Sequence, residues 1–97
     1  MLPKNRRPVQ PGEIIKHEYL IPMSITQQQL ANALSVTRVR INEIILGKRS
    51  ITPDTAFRLA KYFNTTPDFW INLQKNIDMW DTLQLHKNDY ENILSVG

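Results

Sequence analysis

Residues 26–47 constrain the fold more than any other stretch of this chain, because they contain two short amphipathic helices separated by a tight turn. Thr26 is a favoured cap residue, and Gln29 stands three positions later, where its side chain can return a hydrogen bond to the cap. Thr37 repeats the cap for a second helix, which Gly47 is placed to end. The spacing therefore predicts two helices joined by a turn of only a few residues.

Both helices carry an apolar stripe at helical spacing, and two stripes this close together predict one shared core. The inward positions are Leu30, Ala31, Leu34, Ile41, Ile44 and Ile45. Ser35 stands in the turn, where we expect it to adopt a left-handed backbone conformation at modest cost. Burial of both stripes turns the other side of the second helix outward, and basic side chains stand at its start.

An exposed basic helix start is what a DNA-binding helix-turn-helix presents to the major groove, where arginine can bond to guanine and valine can pack on a thymine methyl group. The predicted base-reading residues are Thr37, Arg38, Val39, Arg40, Asn42 and Glu43. Glu43 can accept a bond from cytosine or pair with a neighbouring arginine, and we favour the pairing. The predicted phosphate contacts are Gln27, Gln28, Lys48 and Arg49, either at a helix start or just after the reading helix.

The motif resembles the helix-turn-helix of the phage-repressor-like (Cro/C1 or XRE) superfamily. Gln27 begins the first motif helix, Ala31 takes the small crossing position, and Ile41 and Ile44 take the core positions.

Residues 47–73, GKRSITPDTAFRLAKYFNTTPDFWINL, form a second signature, and PGEIIKHEYL precedes the motif. Together they resemble the HigA/VapI family of antitoxins. That resemblance implies a small dimeric repressor encoded beside a ribosome-dependent, mRNA-cleaving toxin of the HigB type. Such a protein neutralises the toxin and represses their shared promoter at an inverted-repeat operator in double-stranded DNA.

The triplet Thr-Pro-Asp occurs at 52–54 and again at 66–68. Each copy combines a cap residue, a proline suited to the first helical position and an acid favoured by the helix dipole. Two more helices are predicted, at roughly 53–63 and from Pro67 to about Leu85, in addition to a first helix that ends near Leu20. The fold class is therefore all-α: a five-helix, phage-repressor-like helix-turn-helix domain with a longer C-terminal helix.

Three segments are predicted along the chain. Residues 1–11 hold three prolines with Lys4, Arg6 and Arg7, which favours a flexible basic arm, either a solvated terminus or a contact to DNA or a partner. Residues 12–85 form the DNA-binding domain with its C-terminal helix. Residues 86–97 are a tail or a short docked helix.

Charge is unevenly distributed over the 97 residues. Residues 1–61 contain ten Lys or Arg and four Asp or Glu, whereas residues 62–97 contain two and five. The basic part contains the motif, and a basic surface there would attract a polyanion such as DNA.

Composition also excludes several classes of protein. The absence of cysteine removes disulfides and thiolate metal sites, and no apolar run is long enough for a membrane helix or a secretory signal. We therefore expect a protein of the bacterial cytoplasm, associated with the nucleoid. His17 and His86 lack any metal-binding or catalytic context, so we expect no enzyme, no metal and no cofactor.

The fifth helix carries an aromatic and aliphatic stripe with two interpretations, a core face or a dimer interface. The interface candidates are Phe69, Trp70, Leu73, Ile77 and Trp80. A homodimer would read two half-sites about 34 Å apart. Two other functions stay open: a phage-type or housekeeping regulator without a toxin, and a protein-interaction module that does not read DNA.

Overall fold

The computed structural model describes residues 6–97, so Lys4 and the rest of 1–5 in the predicted arm lie outside the described residues. The helices are α1 (Pro11–Ile14), continued by a π-helical segment (Ile15–Leu20), then α2 (Gln27–Leu34), α3 (Arg38–Ile45), α4 (Pro53–Phe63) and α5 (Pro67–Glu91). No strand forms within 6–97. The all-α prediction is confirmed.

Side-chain caps define the start of four helices. The threonine hydroxyl before each of α2, α3, α4 and α5 accepts the backbone N–H three residues ahead. At α2 the box is complete, because Gln29 Oε1 also accepts from the Thr26 backbone N–H at 2.8 Å. Since each cap satisfies a donor that the helix itself leaves unpaired, these starts are encoded locally.

The turn between α2 and α3 has the conformation expected from the sequence. Ser35 adopts the left-handed region, with φ 57° and ψ 45°. Its neighbour Val36 donates its backbone N–H to the Ala31 carbonyl at 3.0 Å, which closes the turn. A serine thus performs the task that glycine performs without steric cost.

One core lies between the five helices, and it contains the predicted stripes of the motif except Ile45, which is half-buried. The largest fully buried side chains are Trp70, Ile15, Leu30, Ile41 and Leu59. Tyr19 stacks on Phe63 with ring centroids 4.1 Å apart. Trp70 Nε1 donates to Thr65 Oγ1 at 2.8 Å, so the buried indole has a partner.

Two of the predicted interface candidates therefore have a different role. Trp70 is 0% exposed and Ile77 is 4% exposed, so both contribute to the core of their own chain and are not available to a partner. Leu73 and Trp80 are half-buried, and Phe69 is 40% exposed. The stripe is a core face along the first half of α5, and only its edges reach the surface.

The helix α5 is longer than the sequence predicted, because it continues to Glu91 instead of ending near Leu85. From Asp81 onward every residue is exposed, and the molecule is 52 Å long but only 23 Å and 22 Å across. The C-terminal turns thus extend beyond the core. No helix within 6–97 has the length and hydropathy of a membrane span.

The N-terminal segment packs closely on two other helices. A Cβ atom at Gly12 would lie 2.5 Å from the Ile45 carbonyl oxygen and 2.7 Å from the Ile45 Cα, so α1 approaches the end of α3 closely. Arg7 Nε and Nη2 donate to the two carboxylate oxygens of Asp81 on α5 at 2.8 and 2.7 Å. The described part of the predicted flexible arm is therefore anchored by an ion pair.

Candidate nucleic-acid interface

The start of α3 is a surface built by local hydrogen bonds and the core beneath. Thr37 Oγ1 accepts the Arg40 backbone N–H at 3.1 Å, and Ile41 and Ile44 fasten the opposite side of the helix into the core. With the buried side fixed, the remaining positions must face outward. The arrangement presents a short, capped helix with its N-terminal end open to solvent.

Three of the predicted base-reading residues form a continuous exposed patch on α3. Arg38 and Asn42 are exposed, and Val39 is 68% exposed. The three side chains together line a shallow depression in the surface. A cationic donor, an apolar group and an amide side by side match the donor, acceptor and methyl pattern of base edges in the major groove.

Two other predicted base-reading residues, Arg40 and Glu43, form ion pairs within the protein. Arg40 Nη2 donates to Thr55 Oγ1 at 2.5 Å and to Asp54 Oδ2 at 3.1 Å, both at the start of α4. Glu43 Oε1 accepts from Arg49 Nε and Nη2 at 3.1 and 2.8 Å, so Glu43 pairs with a neighbouring arginine. Both side chains would have to leave these partners to reach a base.

The residues predicted to bind phosphate flank the exposed patch. Gln27 begins α2, and its Oε1 accepts from Asn42 Nδ2 at 3.2 Å, which links the two helices of the motif. Gln28 bonds along α2 to Asn32 at 2.9 Å. Lys48 is exposed in the loop after α3, whereas Arg49 is engaged with Glu43. The structure thus brings amide and cationic donors to both sides of the α3 surface.

The acceptors of Arg40 are site residues that sequence reasoning missed. Asp54 accepts from Arg58 Nε at 3.0 Å in addition to Arg40, and these hydrogen bonds, that of Arg58 first, lower the pKa of the Asp54 carboxyl. Asp54 and Arg58 stand four residues apart on α4, a spacing that pairs opposite charges on a helix. That spacing was a visible signal for half of the network, but nothing local indicated the contact across to Arg40.

No group of three or more His, Asp or Glu side chains within 6–97 is placed to hold a metal ion. His86 Nδ1 lies 3.1 Å from Asp89 on the exposed end of α5, an ordinary surface contact.

Comparison with known proteins gives a consistent result. A helix-turn-helix family model matches residues 17–70. The HTH-type transcriptional regulator YbaQ of Escherichia coli strain K12 is 45% identical over 76 residues, which cover 78% of this chain and 67% of that protein. Antitoxin HigA-1 of Vibrio cholerae is 40% identical over 84 residues, with 87% and 79% covered.

A solved structure extends the comparison to three dimensions. The antitoxin HigA of Pseudomonas aeruginosa, in a structure with the higBA promoter, superposes with a TM-score of 0.87 at 34% identity and covers 93% of this chain and 98% of its own. The similarity therefore includes the whole helical domain as well as the motif.

Proposed function

The chain belongs to the helix-turn-helix family that includes the HigA antitoxins, and we propose that it is itself an antitoxin that represses its own promoter. The observation that carries this proposal is the exposed start of α3, where Arg38, Val39 and Asn42 lie together on a capped helix. In this proposal these three side chains read bases in the major groove. The HigA structure with its promoter supports the same use of the fold.

Phosphate contacts would fix the position of that helix on the duplex. We propose Gln27 and Gln28 at the start of α2 and Lys48 after α3 for this role, since backbone N–H groups at a helix start and exposed lysines both favour phosphate. The excess of basic residues in 1–61 would increase the attraction, and the affinity should therefore fall steeply with salt.

A homodimer would double the reading surface. The residues of α5 that remain partly exposed, Phe69, Leu73 and Trp80, adjoin Met79 and Leu83, which are 54% and 45% exposed. We propose that a second copy covers this apolar edge, because two linked half-sites raise affinity beyond that of either alone. The measurement is sedimentation at micromolar concentration, and a species of 11.3 kDa alone would contradict the dimer.

DNA binding is tested by fluorescence anisotropy with a duplex from the protein's own upstream region and a scrambled duplex. The native protein should prefer the natural duplex, and Arg38→Ala should lose about 1–3 kcal/mol of discrimination at one base pair. Lys48→Ala should weaken binding to every sequence alike. Lys87→Ala, an exposed charge on the distal part of α5, is the matched control and should change nothing. Equal affinity for both duplexes would refute sequence-specific binding.

The toxin partner is tested separately. We propose a HigB-like toxin encoded next to this gene. The neighbouring product should copurify with the chain and lose its toxicity in cells when the two are expressed together. If operator binding is present but the neighbouring product neither binds nor is neutralised, the protein is a regulator without a toxin.

A further inference from the structure

A polar network joins the end of α2 and the start of α3 to the start of α4 through one carboxylate. Asp54 Oδ2 accepts from Arg40 Nη2 at 3.1 Å and from Arg58 Nε at 3.0 Å. Each guanidinium has a second partner: Arg40 Nη2 donates to Thr55 Oγ1 at 2.5 Å, and Arg58 Nη1 donates to the Leu34 carbonyl oxygen at 2.8 Å. Both helices of the motif are therefore fastened to the same point on α4.

The partners of Arg40 are built into the fold. Thr55 is only 3% exposed, and the Arg40 side chain is 25% exposed, less than any other ion-paired arginine in 6–97. Hydrogen bonds with a charged donor are stronger than neutral ones. Leaving a buried hydroxyl without such a donor therefore lowers the stability of the folded protein. Moving Arg40 into a DNA groove would therefore carry a cost that moving Arg38 would not.

Arg58 completes the frame on the side of α2. The Leu34 carbonyl belongs to the last turn of α2, where carbonyl groups have no partner within the helix. Arg58 supplies a charged donor there, just before the turn in which Ser35 takes its left-handed conformation. The network thus holds the two ends that define the angle between α2 and α3.

We propose that Arg40 is a positioning residue, which holds the start of α3 against α4 through Asp54 and Thr55 and does not itself read a base. The proposal rests on the DNA-binding function proposed above. Arg38 and Arg40 are two positions apart on a helix, so their side chains point to nearly opposite sides. Base contacts require atoms placed within a few tenths of an ångström, and a shift of α3 would weaken all of them together.

The change in operator affinity caused by Asp54→Ala distinguishes a base-reading Arg40 from a positioning Arg40, because the two roles predict changes in opposite directions. If Arg40 reads a base, Asp54 competes with DNA for the guanidinium, and Asp54→Ala should strengthen operator binding. If Arg40 positions α3, the same change removes its anchor and should weaken binding. Asp68→Ala removes an equal charge from the matching position of α5, so it controls for the general attraction of a less acidic protein to DNA.

The experiment measures operator affinity for Asp54→Ala, Arg40→Met, the double variant and Asp68→Ala, at a temperature where circular dichroism shows each to be folded. We expect Asp54→Ala to bind about threefold to tenfold more weakly than Asp68→Ala, within the range of coupling between contacting residues. The double variant should bind no more weakly than the weaker single variant. Arg40→Met should preserve the ranking of operator variants, whereas Arg38→Ala should flatten it at one base pair.

If Arg40→Met does not fold, Arg40→Lys replaces it in the operator measurements, because lysine keeps the charge but loses the planar pair of donors. A uniform loss of affinity with the ranking preserved supports positioning. Tighter binding by Asp54→Ala than by Asp68→Ala, or loss of discrimination at one base pair in either Arg40 variant, overturns it. If the native protein shows no sequence preference, the proposed function fails as well, and that outcome is visible before any variant is made.

Discussion

The starts of α4 and α5 are the same three residues, Thr-Pro-Asp, in two different surroundings. Thr52 and Thr66 have almost the same backbone conformation, with φ −89° and −90°, and each hydroxyl accepts the N–H three residues ahead. Asp54 is bonded by two arginines, whereas Asp68 makes no ion pair with any residue of 6–97. A shared local motif therefore sets where a helix begins. Whether its acid forms ion pairs depends on the residues around it, which for Asp54 are Arg58 on the same helix and Arg40 on α3.

The residues that follow each triplet explain the difference. After Asp54 come the buried Thr55 and, four positions on, Arg58; after Asp68 come the half-exposed Phe69 and, four positions on, Asn72. The residue two positions after each acid is fully buried in both helices. It is Ala56 in α4 and Trp70 in α5. The small residue lets α4 pack closely on the motif, and the large one fills the core beneath α5.

Removing the large residue should have the greatest effect. We expect Trp70→Ala to destabilise the fold by about 3–5 kcal/mol, because it leaves a cavity and an unpaired Thr65 hydroxyl. Urea unfolding followed by circular dichroism measures this. Phe69→Ala, one position earlier and 40% exposed, is the control and should cost far less. Similar losses for both would show that burial does not distinguish the two rings.

Replacing each capping threonine by alanine compares how much the two caps contribute to the stability of the fold. Thr66→Ala should cost about 1 kcal/mol, the usual loss for a capping threonine. Thr52→Ala should cost somewhat more, because Thr52 Oγ1 also lies 3.2 Å from Thr55 Oγ1 in the network. The same urea series gives both values. A larger loss for Thr66→Ala would contradict this ranking.

Lowering the pH should destabilise the fold by protonating the carboxylates that are paired with arginine. Arginine hydrogen bonds lower the pKa of Asp54 and of Asp81, so the folded pKa lies below the unfolded value near 3.8. Each pair thus contributes stability above that value and loses it as pH falls toward the folded pKa. We expect Asp54→Ala to reduce the fall in melting temperature between pH 5 and pH 2, roughly the range over which such groups titrate. A fall identical to that of the native protein would contradict the pairing.

The smallest change in stability should come from adding to α5 the Asp–Arg pair that α4 has at its start. Asn72→Arg places an arginine four residues after Asp68, as Arg58 follows Asp54, and should stabilise by about 0.2–0.5 kcal/mol. Asn72→Gln is the neutral control. The gain should disappear in high salt because the pair is exposed. A gain that persists at high salt would show that arginine acts there by packing.

Sequence reasoning reached the helix starts more accurately than the helix ends. Caps are local, so the starts after Thr26, Thr37, Thr52 and Thr66 could all be read from the chain. The end of α5 could not, because residues after Leu85 have no breaker and continue as an exposed helix to Glu91. The π-helical segment also went unpredicted, since apolar spacing in 15–20 indicates a helix but not its pitch.

The site shows a similar division. Periodicity correctly placed Arg38, Val39 and Asn42 on the surface, because the direction of Cα–Cβ follows from the buried side. It could not locate the end of a long side chain, and the Arg40 guanidinium reaches a helix that begins thirteen residues later. The interface candidates failed at Trp70 and Ile77 for a related reason: an apolar stripe shows that a side is covered but not whether its own chain covers it.

The approach of α1 to α3 at Gly12 has a consequence for how this protein can change. The constraint comes from the backbone of Ile44 and Ile45, which cannot rotate away as a side chain can, so the smallest possible substitution, alanine, is already too large. In a library randomised at position 12 we expect glycine alone to survive selection for folding. A residue without a side chain would then be among the least replaceable in the chain, because its function is to leave a space empty.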